Sequence, residues 1–284
     1  MNIMVTGAAG EYGAYALAYL KKYAQDATVI AQVRDRKKAE LLENQGYEVR
    51  VADYSDAEGM KSILNGIDRL LFVSTPVQGV QKNVVDAAVA NGVKYIAYTS
   101  IYEPQYSKGG LEINHKQTEG WIRASGIPFT ILRDNWYTEV NQGLIRFAAH
   151  TKEFPLFAGE GKLSTALKRE YAEVGAIVIS EGGYPEILNL AGKPYTYREL
   201  AQAISETIGE HVDVIETTEQ GALERMVSGG TDQKWAFVAN FYQGYALKGS
   251  NGEADADPAE FEAVLGRSLT PLADAVREII GNRQ

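Results

Sequence analysis

The chain has 284 residues, of which 45% are hydrophobic and 23% are charged, and it carries a formal net charge of -9. This composition is typical of a folded globular protein, with enough residues for one large domain or two smaller ones. The acidic balance disfavours nucleic-acid binding, and the lack of cysteine excludes disulfides, thiolate metal sites, iron–sulfur clusters and thiol catalysis.

The first half of the chain predicts strands and helices in alternation. Short apolar runs predict strands at residues 3–6, 28–33, 48–52, 70–74, 95–99 and 129–132. The segments between them have a helical period and predict helices at residues 12–23, 37–44, 57–64, 80–90 and 114–124. Strands that are apolar on both faces and joined by helices are typical of buried parallel sheets. The order therefore predicts an α/β fold with a Rossmann-like, doubly wound parallel sheet.

The second half has a less regular order of elements. Helices are predicted at residues 140–150, 171–181, 199–208 and 272–280, and strands at residues 187–190 and 212–215. Thr196 is expected to cap the third of these helices. Residues 228–256 show no clear period and predict a functional or poorly ordered loop. We therefore expect a core over residues 1–135, with a returning strand near 187–191, and a smaller carboxyl-terminal α/β lobe over residues 136–284.

The same sequence bears on localisation, metal binding and assembly. The start of the chain has no basic segment followed by a long apolar one, and no stretch of about 18 apolar residues occurs. We therefore expect a cytoplasmic protein that does not insert into a membrane. The three histidines, at positions 115, 150 and 211, are too scattered for a zinc motif, so no metal is expected. Homodimerisation is expected only from the general frequency of symmetric dimers.

The most informative motif is the glycine-rich turn after the first predicted strand. It reads Gly7-Ala8-Ala9-Gly10-Glu11-Tyr12-Gly13, with the spacing GxxGxxG. The first glycine permits a tight turn, the second lets the backbone approach a pyrophosphate, and the third lets the helix pack closely on the strand. Free amides and the helix dipole then favour the phosphates of a dinucleotide. A glycine-rich turn that binds no ligand is the alternative.

The end of the second predicted strand indicates which dinucleotide is bound. An Asp or Glu at that point accepts hydrogen bonds from the ribose hydroxyls of NAD. Here the strand runs into Arg34, followed by Asp35, Arg36, Lys37 and Lys38. Because a guanidinium binds phosphate with two hydrogen bonds, Arg34 with help from Lys38 favours the 2′-phosphate of NADPH. Asp35 would instead serve NADH if its side chain turned inward, and an exposed helix start is the structural alternative.

Together with the glycine loop, several motifs resemble the NmrA-like family of atypical short-chain dehydrogenases. They are Val33-Arg34, Val51-Ala52-Asp53-Tyr54, Tyr98-Thr99-Ser100, Arg133-Asp134-Asn135-Trp136-Tyr137, Arg169-Glu170-Tyr171-Ala172, Leu190-Ala191-Gly192 and Leu265-Gly266-Arg267. The Arg-x-Asn-Trp-Tyr run is the most specific of them, and the set spans nearly the whole chain. Within the family, the sequence is similar above all to the bacterial type 2 NAD(P)H:quinone oxidoreductases.

This resemblance implies an NAD(P)-binding core, a substrate-binding lobe and a cleft between them that holds NADPH and a quinone. It implies flavin-free reduction of the quinone by direct hydride transfer from the nicotinamide. The residues it assigns are Gly7, Ala8, Ala9, Gly10, Glu11 and Tyr12 at the pyrophosphate, Arg34 at the 2′-phosphate, Asp53 and Tyr54 near the adenine, Ser74, Thr75 and Pro76 beside the ribose and nicotinamide, and Asn135, Trp136, Tyr137 and Arg169 around the nicotinamide and substrate.

Three positions depart from the family pattern. Glu11 stands where Gln is usual, Gly120 where Lys is usual, and Asp134 where Gly is usual. A carboxylate at Glu11 would be repelled by a phosphate unless its side chain points away. Asp134, beside the implied quinone pocket, would be expected to alter the choice of substrate.

The catalytic motif of most short-chain dehydrogenases, Tyr-x-x-x-Lys, is missing. The corresponding helix reads Leu111-Glu112-Ile113-Asn114-His115-Lys116. Quinone reduction tolerates this loss, because a quinone accepts a hydride readily and its developing oxyanion needs only a modest donor or water. The candidates for catalysis are His115 as a proton donor or ribose contact, Asn135 beside the nicotinamide or substrate carbonyl, and Tyr137 with Trp136 as a flat wall for an aromatic ring. A surface histidine, a turn asparagine and core aromatics are the structural alternatives.

The missing motif also leaves a second class of function open. A non-catalytic redox sensor of the NmrA type would bind NADP(H) and signal its oxidation state to a partner protein. In that case, residues 228–256 would form a partner-binding loop. Reduction of another activated carbonyl or alkene would use the same site with a different pocket.

Overall fold

A computed structural model describes residues 1–281 and divides into two compact units. Unit 1 comprises Met1–Asp134, Arg169–Leu190 and Ala263–Leu265. Unit 2 comprises Asn135–Lys168, Ala191–Glu262 and the residues from Gly266 onward. Within residues 1–281, no helix combines the length and the apolar composition needed to cross a membrane.

The elements alternate along the chain. The strands are β1 (Asn2–Val5), β2 (Thr28–Val33), β3 (Glu48–Val51), β4 (Arg69–Phe72), β5 (Tyr95–Ile101), β6 (Phe129–Asp134), β7 (Trp136–Tyr137), β8 (Glu153–Leu156), β9 (Lys162–Ala166), β10 (Ile187–Leu190), β11 (Pro194–Thr196) and β12 (Asp213–Glu216). The helices are α1 (Glu11–Tyr23), α2 (Arg36–Glu43), α3 (Ala57–Ile63), α4 (Gln81–Ala90), α5 (Leu111–Ala124), α6 (Gln142–Thr151), α7 (Lys168–Glu181), α8 (Tyr197–Ile208), α9 (Glu219–Ser228), α10 (Gln233–Lys248), α11 (Ala259–Leu265) and α12 (Leu272–Gly281), with a 3-10 turn at Thr138–Asn141.

Unit 1 is built on a seven-stranded sheet in the order β10-β6-β5-β4-β1-β2-β3. All its strand pairs are parallel. Parallel strands need crossover connections, and the helices α1 to α5 supply them in the first half of the chain. The prediction of a doubly wound α/β fold is therefore confirmed. The returning strand is confirmed as well, because β10 pairs with β6 at the edge of the sheet.

The sheet forms because its strands carry apolar residues on both faces. Ile3, Met4 and Val5 of β1 are fully buried, and every residue of β5 is buried. At roughly 25 cal/mol per Å² of buried apolar surface, each such side chain stabilises the fold by about 1.5–3 kcal/mol. The core therefore lies on both sides of the central strands, and the strand ends remain available for a site.

Helix α7 belongs to unit 1, although the boundary expected at residue 135 placed it in the second lobe. Its backbone accepts hydrogen bonds from α1 and β4. The Tyr12 hydroxyl of α1 donates to the Tyr171 carbonyl at 3.1 Å, and the Arg69 guanidinium of β4 donates to two carbonyls at the end of the helix. Gly175 leaves room for the Tyr12 hydroxyl, because a Cβ there would come within 2.6 Å of it. The chain thus re-enters unit 1 at α7, before strand β10 joins the sheet.

Unit 2 contains two small sheets. Strand β9 pairs antiparallel with β11 and parallel with β7, while β8 and β12 form a parallel pair. The expected cap of α8 is confirmed, because the Thr196 hydroxyl accepts from the Glu199 amide and the Glu199 carboxylate accepts from the Thr196 amide.

The loop predicted at residues 228–256 is wrong, because α10 occupies most of that segment. The buried positions of α10 do follow a helical period, at Ala236, Ala239, Asn240, Gln243 and Ala246. Apart from Tyr245, the buried residues of this helix are small or carry amides, whereas the large apolar side chains Phe237, Phe241 and Leu247 are exposed. A helix is predicted from an apolar stripe that faces the core, whereas the large apolar residues of α10 face the surface. The partner-binding loop of the sensor hypothesis therefore loses its basis.

Two helical glycines give a matched test of the close packing in unit 1. A Cβ on Gly13 of α1 would lie 2.6 Å from both the Ala8 Cα and the Gly7 carbonyl oxygen, whereas a Cβ on Gly120 of α5 would have no heavy atom within 4 Å. We expect Gly13→Ala to lower the free energy of unfolding in urea by roughly 1–3 kcal/mol through overpacking. Gly120→Ala should raise it by about 0.5–1 kcal/mol, because alanine is the better helix former. Equal effects of the two substitutions would contradict the packing at Gly13.

Candidate functional site

A cavity of unit 1 lies where the strand order reverses between β1 and β4. At such a switch point, the loops after two neighbouring parallel strands diverge and leave a crevice. The cavity has a volume of about 360 Å³. Its lining comprises Gly7, Ala9, Gly10, Gln32, Val33, Arg34, Lys38, Asp53, Tyr54, Ser55, Val73, Ser74, Thr75, Val77 and Val80. The loops after β1, β2, β3 and β4 therefore meet at one site.

Most of the predicted cofactor residues of unit 1 fall in this cavity. Those that line it are Gly7, Ala9, Gly10, Arg34, Lys38, Asp53, Tyr54, Ser74 and Thr75. Ala8, Tyr12 and Gly13 are buried, whereas Glu11 and Pro76 are exposed. The Tyr12 side chain reaches α7, so only its backbone is left to act at the glycine loop.

The glycine loop is shaped by Gln32, a buried residue of β2 that the sequence analysis missed. The Gly7 amide donates to the Gln32 side-chain oxygen at 2.9 Å, and the Ala8 amide donates to the Gln32 carbonyl at 3.0 Å. The Gly10 amide donates to the Gly7 carbonyl at 2.9 Å, and Gly7 has a φ of +61°. These three amides are therefore committed within the loop, and a phosphate would be met by the start of α1 instead.

The cationic end of the cavity consists of Arg34 and Lys38, both of which are exposed. The neighbouring charges are used elsewhere: the Asp35 carboxylate accepts from the Lys38 amide at 2.9 Å and caps α2, while Arg36 pairs with Glu43 at 2.8 Å. A carboxylate engaged as a helix cap is poorly placed to bind ribose hydroxyls, and this favours the phosphate-binding interpretation of Arg34.

The adenine end that the resemblance implies is formed by Asp53 and Tyr54. The hydroxyl and amide of Ser55 donate to the Asp53 carboxylate and, with Arg34 nearby, hold the pKa of that carboxyl below its ordinary value. The Tyr54 hydroxyl lies 2.5 Å from the Thr6 hydroxyl and 2.7 Å from the Val73 carbonyl. Burial raises the pKa of Tyr54, so its hydroxyl is protonated and holds the loop after β3 against β1 and β4.

A closed ring of hydrogen bonds fixes the opposite end of the cavity at Thr75. The Thr75 amide donates to the Gln81 side-chain oxygen at 3.1 Å, and the Gln81 side-chain nitrogen donates to the Thr118 hydroxyl at 2.9 Å. The Thr118 hydroxyl donates to the Asn114 carbonyl at 2.9 Å, and the Asn114 side chain donates back to the Thr75 carbonyl at 2.7 Å. Gln81, Asn114 and Thr118 are buried, so this ring sets the position of the Thr75 backbone.

His115 follows Asn114 on α5 and contacts this ring through Tyr98. Its Nδ1 atom lies 3.1 Å from the Tyr98 hydroxyl, which is itself 3.3 Å from the Gln81 side-chain oxygen. Burial lowers the pKa of His115 to about 4, despite the nearby charge of Glu119. The imidazole is therefore neutral near neutral pH, and the role of His115 as a proton donor or ribose contact stays a prediction.

Ser100 belongs to a buried ionic cluster. Its hydroxyl donates to the Glu119 carboxylate at 2.7 Å, and the same carboxylate accepts from Arg133 at 2.9 and 3.0 Å and from Arg123 at 3.0 Å. Burial opposes ionisation of Glu119, but the hydrogen bonds from Arg133 and Ser100 hold its pKa below the ordinary value. Glu119 is thus an ionised structural group that joins α5 to β5 and β6.

The predicted residues after β6 do not line the cavity of unit 1. The Asn135 side chain donates to the Glu253 carboxylate at 3.0 Å, and that carboxylate also accepts from the Ser164 amide. The Trp136 ring is buried against Tyr242 and Tyr245, with centroids 5.0 and 5.5 Å apart.

The two remaining predicted residues are half-buried. The Tyr137 ring carries the Lys168 ammonium 5.3 Å from its centroid, and Arg169 lies in the first turn of α7. Core packing thus accounts for Trp136, while the side chains of Asn135, Tyr137 and Arg169 stay as proposed contacts.

The functional residues that the sequence analysis missed are buried polar side chains. Gln32 interrupts the apolar run of β2, which was its only visible signal. Gln81 and Thr118 are polar residues on the buried faces of their helices. Glu253 lies 118 positions from Asn135, so sequence proximity could not link the two. Their roles depend on tertiary contacts, which a single sequence does not reveal.

Comparisons with known proteins agree on one family. Residues 1–258 match the NmrA-like family. Quinone oxidoreductase 2 of Escherichia coli is 33% identical over 283 residues, which cover 98% of each chain. The crystal structure of an Escherichia coli NADPH-dependent quinone oxidoreductase complexed with NADPH has a TM-score of 0.85 and 33% identity, and covers 98% of this chain and all of that one. The triphenylmethane reductase of Citrobacter sp. complexed with NADP(H) has a TM-score of 0.86, 33% identity and the same coverage.

The Glu119 cluster predicts a pH-dependent stability. Because its folded pKa lies below the ordinary 4.5, Glu119 stabilises the protein above that pH, and this contribution is lost as the pH falls through the folded pKa. We expect Glu119→Gln to lower the free energy of unfolding near neutral pH by roughly 1–3 kcal/mol. The difference from the unmodified protein should shrink below pH 4.5.

The control for this measurement is Glu43→Gln, which removes an exposed pair with Arg36. Exposed pairs contribute about 0–1 kcal/mol, so this change should be small at every pH. Urea titrations between neutral and acidic pH give both differences. A Glu119→Gln effect that persists undiminished in acid would show that the carboxylate charge is not what stabilises the cluster.

Proposed function

Because the chain belongs to the NmrA-like family, we propose that it is an NADPH-dependent quinone oxidoreductase. The observation that carries the proposal is the glycine-lined cavity with Arg34 and Lys38 at one end and the fixed Thr75 backbone at the other. Relatives at 33% identity that cover almost the whole chain support the same activity.

The residues of the cavity fit NADPH. Gly7 and Gly10 keep its floor free of side chains, and Gly13 lets α1 begin close behind the loop. The first turn of α1 would hold the pyrophosphate, and Arg34 with Lys38 would hold the 2′-phosphate. Glu11 is exposed at the start of α1. NADPH is therefore favoured over NADH.

The chemistry of the proposal needs no second cofactor. When bound, NADPH supplies a hydride, and a quinone that gains this hydride and a proton leaves as the hydroquinone. We propose that the transfer is direct and flavin-free. The chain's own contribution is to fix the Thr75 backbone through Gln81 and Asn114, so that the site is preorganised for close approach of the two reactants. Water can supply the proton, because the hydroquinone oxygen needs only a modest donor.

The proposal keeps Asn135, Tyr137 and Arg169 as contacts of the nicotinamide or the quinone. The Asn135 amide is oriented by the buried Glu253 carboxylate, so its side-chain oxygen is left to accept from a ligand. The Tyr137 ring is half-buried and offers a partly open aromatic face. The cleft that the resemblance implies for the quinone stays a prediction.

Substitution of Arg34 tests the choice of cofactor. We expect Arg34→Gln to raise the KM for NADPH roughly ten- to hundredfold, as expected for the loss of a charge-assisted contact with the 2′-phosphate. The KM for NADH should change little, because NADH has no phosphate there. Arg36→Gln is the matched control, since the Arg36 guanidinium is already paired with Glu43. An equal loss for both cofactors would place Arg34 outside the 2′-phosphate site.

Turnover without added flavin tests the activity itself. The purified chain should oxidise NADPH steadily in the presence of small benzoquinones and naphthoquinones, and show no flavin absorption. Deuterium at the transferred position of the nicotinamide should slow single-turnover reduction, since direct transfer breaks that C–H bond. Tight NADPH binding with no turnover across a quinone panel would remove the oxidoreductase proposal and favour a sensor.

A further inference from the structure

The hydrogen-bond ring at Thr75 determines where the protons around it lie. The Thr75 backbone amide can only donate, so the Gln81 side-chain oxygen must face it and the Gln81 nitrogen must face Thr118. The Thr118 hydroxyl accepts that bond and gives its single proton to the Asn114 carbonyl, which can only accept. The two groups of the ring that face Tyr98, the Gln81 side-chain oxygen and the Thr118 hydroxyl, therefore act toward it as acceptors.

The Tyr98 hydroxyl therefore has three neighbours to which its proton can go. They are the Gln81 side-chain oxygen at 3.3 Å, the Thr118 hydroxyl, and Nδ1 of His115 at 3.1 Å. If the proton goes to His115, the Gln81 and Thr118 oxygens gain no bond from Tyr98. If it goes to Gln81 or Thr118, Nδ1–H of His115 donates to the Tyr98 oxygen, and Tyr98 takes part in two hydrogen bonds. Tyr98 is fully buried, so the arrangement with two bonds is the more stable one.

We infer that Tyr98 holds His115 as the neutral Nδ1–H tautomer, with an unprotonated Nε2 that accepts a hydrogen bond from a ribose hydroxyl of the nicotinamide half of NADPH. This inference rests on the proposed function for the identity of the ligand, but not for the tautomer. It makes His115 a positioning residue that accepts a hydrogen bond from the ribose, rather than the residue that donates a proton to the quinone.

His115 does not itself line the cavity, and the proposed contact of Nε2 rests on two observations. Within residues 1–281, the hydrogen bond found for His115 is the one at Nδ1, and the ring is half-buried. His115 also adjoins Asn114, whose side chain holds the carbonyl of the cavity residue Thr75. A hydroxyl donor in the cavity near Thr75 would match the lone pair of Nε2.

The charged groups near the ring do not reverse this state. Glu119, one turn further along α5, is the charged group that acts on His115, and it favours the imidazolium. Its carboxylate is already neutralised by Arg133 and Arg123. On the side of β5, the ring contacts Tyr98, which is neutral and is itself in contact with the neutral Gln81 side chain. Burial therefore prevails, and the ring stays neutral.

Nitrogen-15 NMR of the full-length, uniformly labelled protein tests the tautomer directly. The chain has three histidines, and comparison with His115→Gln identifies the signals of His115. We expect the chemical shifts of a protonated Nδ1 and an unprotonated Nε2 near neutral pH. The Tyr98→Phe variant removes the acceptor for Nδ1–H, and His115 should then change to mainly the Nε2–H form. Exposed His150 and His211 provide internal references that the substitution should leave unmoved.

The outcomes of this experiment separate cleanly. An Nε2–H tautomer in the unmodified protein overturns the inference. An unchanged Nδ1–H tautomer in Tyr98→Phe, with the thermal unfolding midpoint retained, overturns the role of Tyr98. The expected result in both spectra supports it.

Ligand titrations on the same sample test the ribose contact. NADPH should move the Nε2 signal more than the Nδ1 signal, whereas adenosine 2′,5′-bisphosphate, which lacks the nicotinamide ribose, should leave both in place. If NADPH binds without moving Nε2, the ribose contact is wrong while the proposed function stands. If neither ligand binds, the proposed function fails, and the tautomer is judged on its own spectrum.

Steady-state kinetics supply a readout that distinguishes positioning from proton donation. We expect His115→Phe to raise the KM for NADPH about fivefold, the effect of losing one hydrogen bond between neutral groups, and to leave kcat nearly unchanged. A large fall in kcat with an altered pH profile would instead identify His115 as the proton donor and overturn the inference.

Discussion

The three hydrogen bonds of the Gln32 side chain and backbone are the constraint on which the cofactor cavity depends. They join the glycine loop after β1 to β2, and the side-chain nitrogen reaches on to the Ala52 carbonyl at the end of β3. An amide buried in an apolar strand is costly unless each of its polar atoms is paired. Here the pairing is complete, and it fixes three neighbouring strand ends relative to one another.

The other end of the cavity follows the same rule with different residues. Gln81 and Asn114 bind the two sides of the Thr75 backbone, as Gln32 binds the two amides of the glycine loop. Neutral amides thus set the shape, while the cations proposed to select a phosphate, Arg34 and Lys38, are exposed. Shape and charge selection are therefore carried by separate groups, and the amide framework does not titrate.

The sequence was sufficient for the fold of unit 1, because its strands are apolar on both faces and its crossover helices have a clear period. It was also sufficient to expect the glycine loop and Arg34 at one cavity, because their positions relative to the strands are fixed by local spacing. It could not predict α10, because the buried face of that helix is small and polar apart from Tyr245. Nor could it predict the partners of Asn135 and His115, since those contacts arise between distant segments.

Helix α10 is attached in an unusual way for a surface helix. Asn240 donates to the Glu219 carbonyl, while the Gln243 side chain donates to the Pro155 carbonyl and accepts from the Phe157 amide. Apolar contacts are non-directional, so a helix held by an apolar stripe can roll or slide a little at low cost. Directional amide bonds permit one azimuth and one axial setting. The aromatic rings of α10 that pack against Trp136, those of Tyr242 and Tyr245, are thereby held in one position along and around the helix axis.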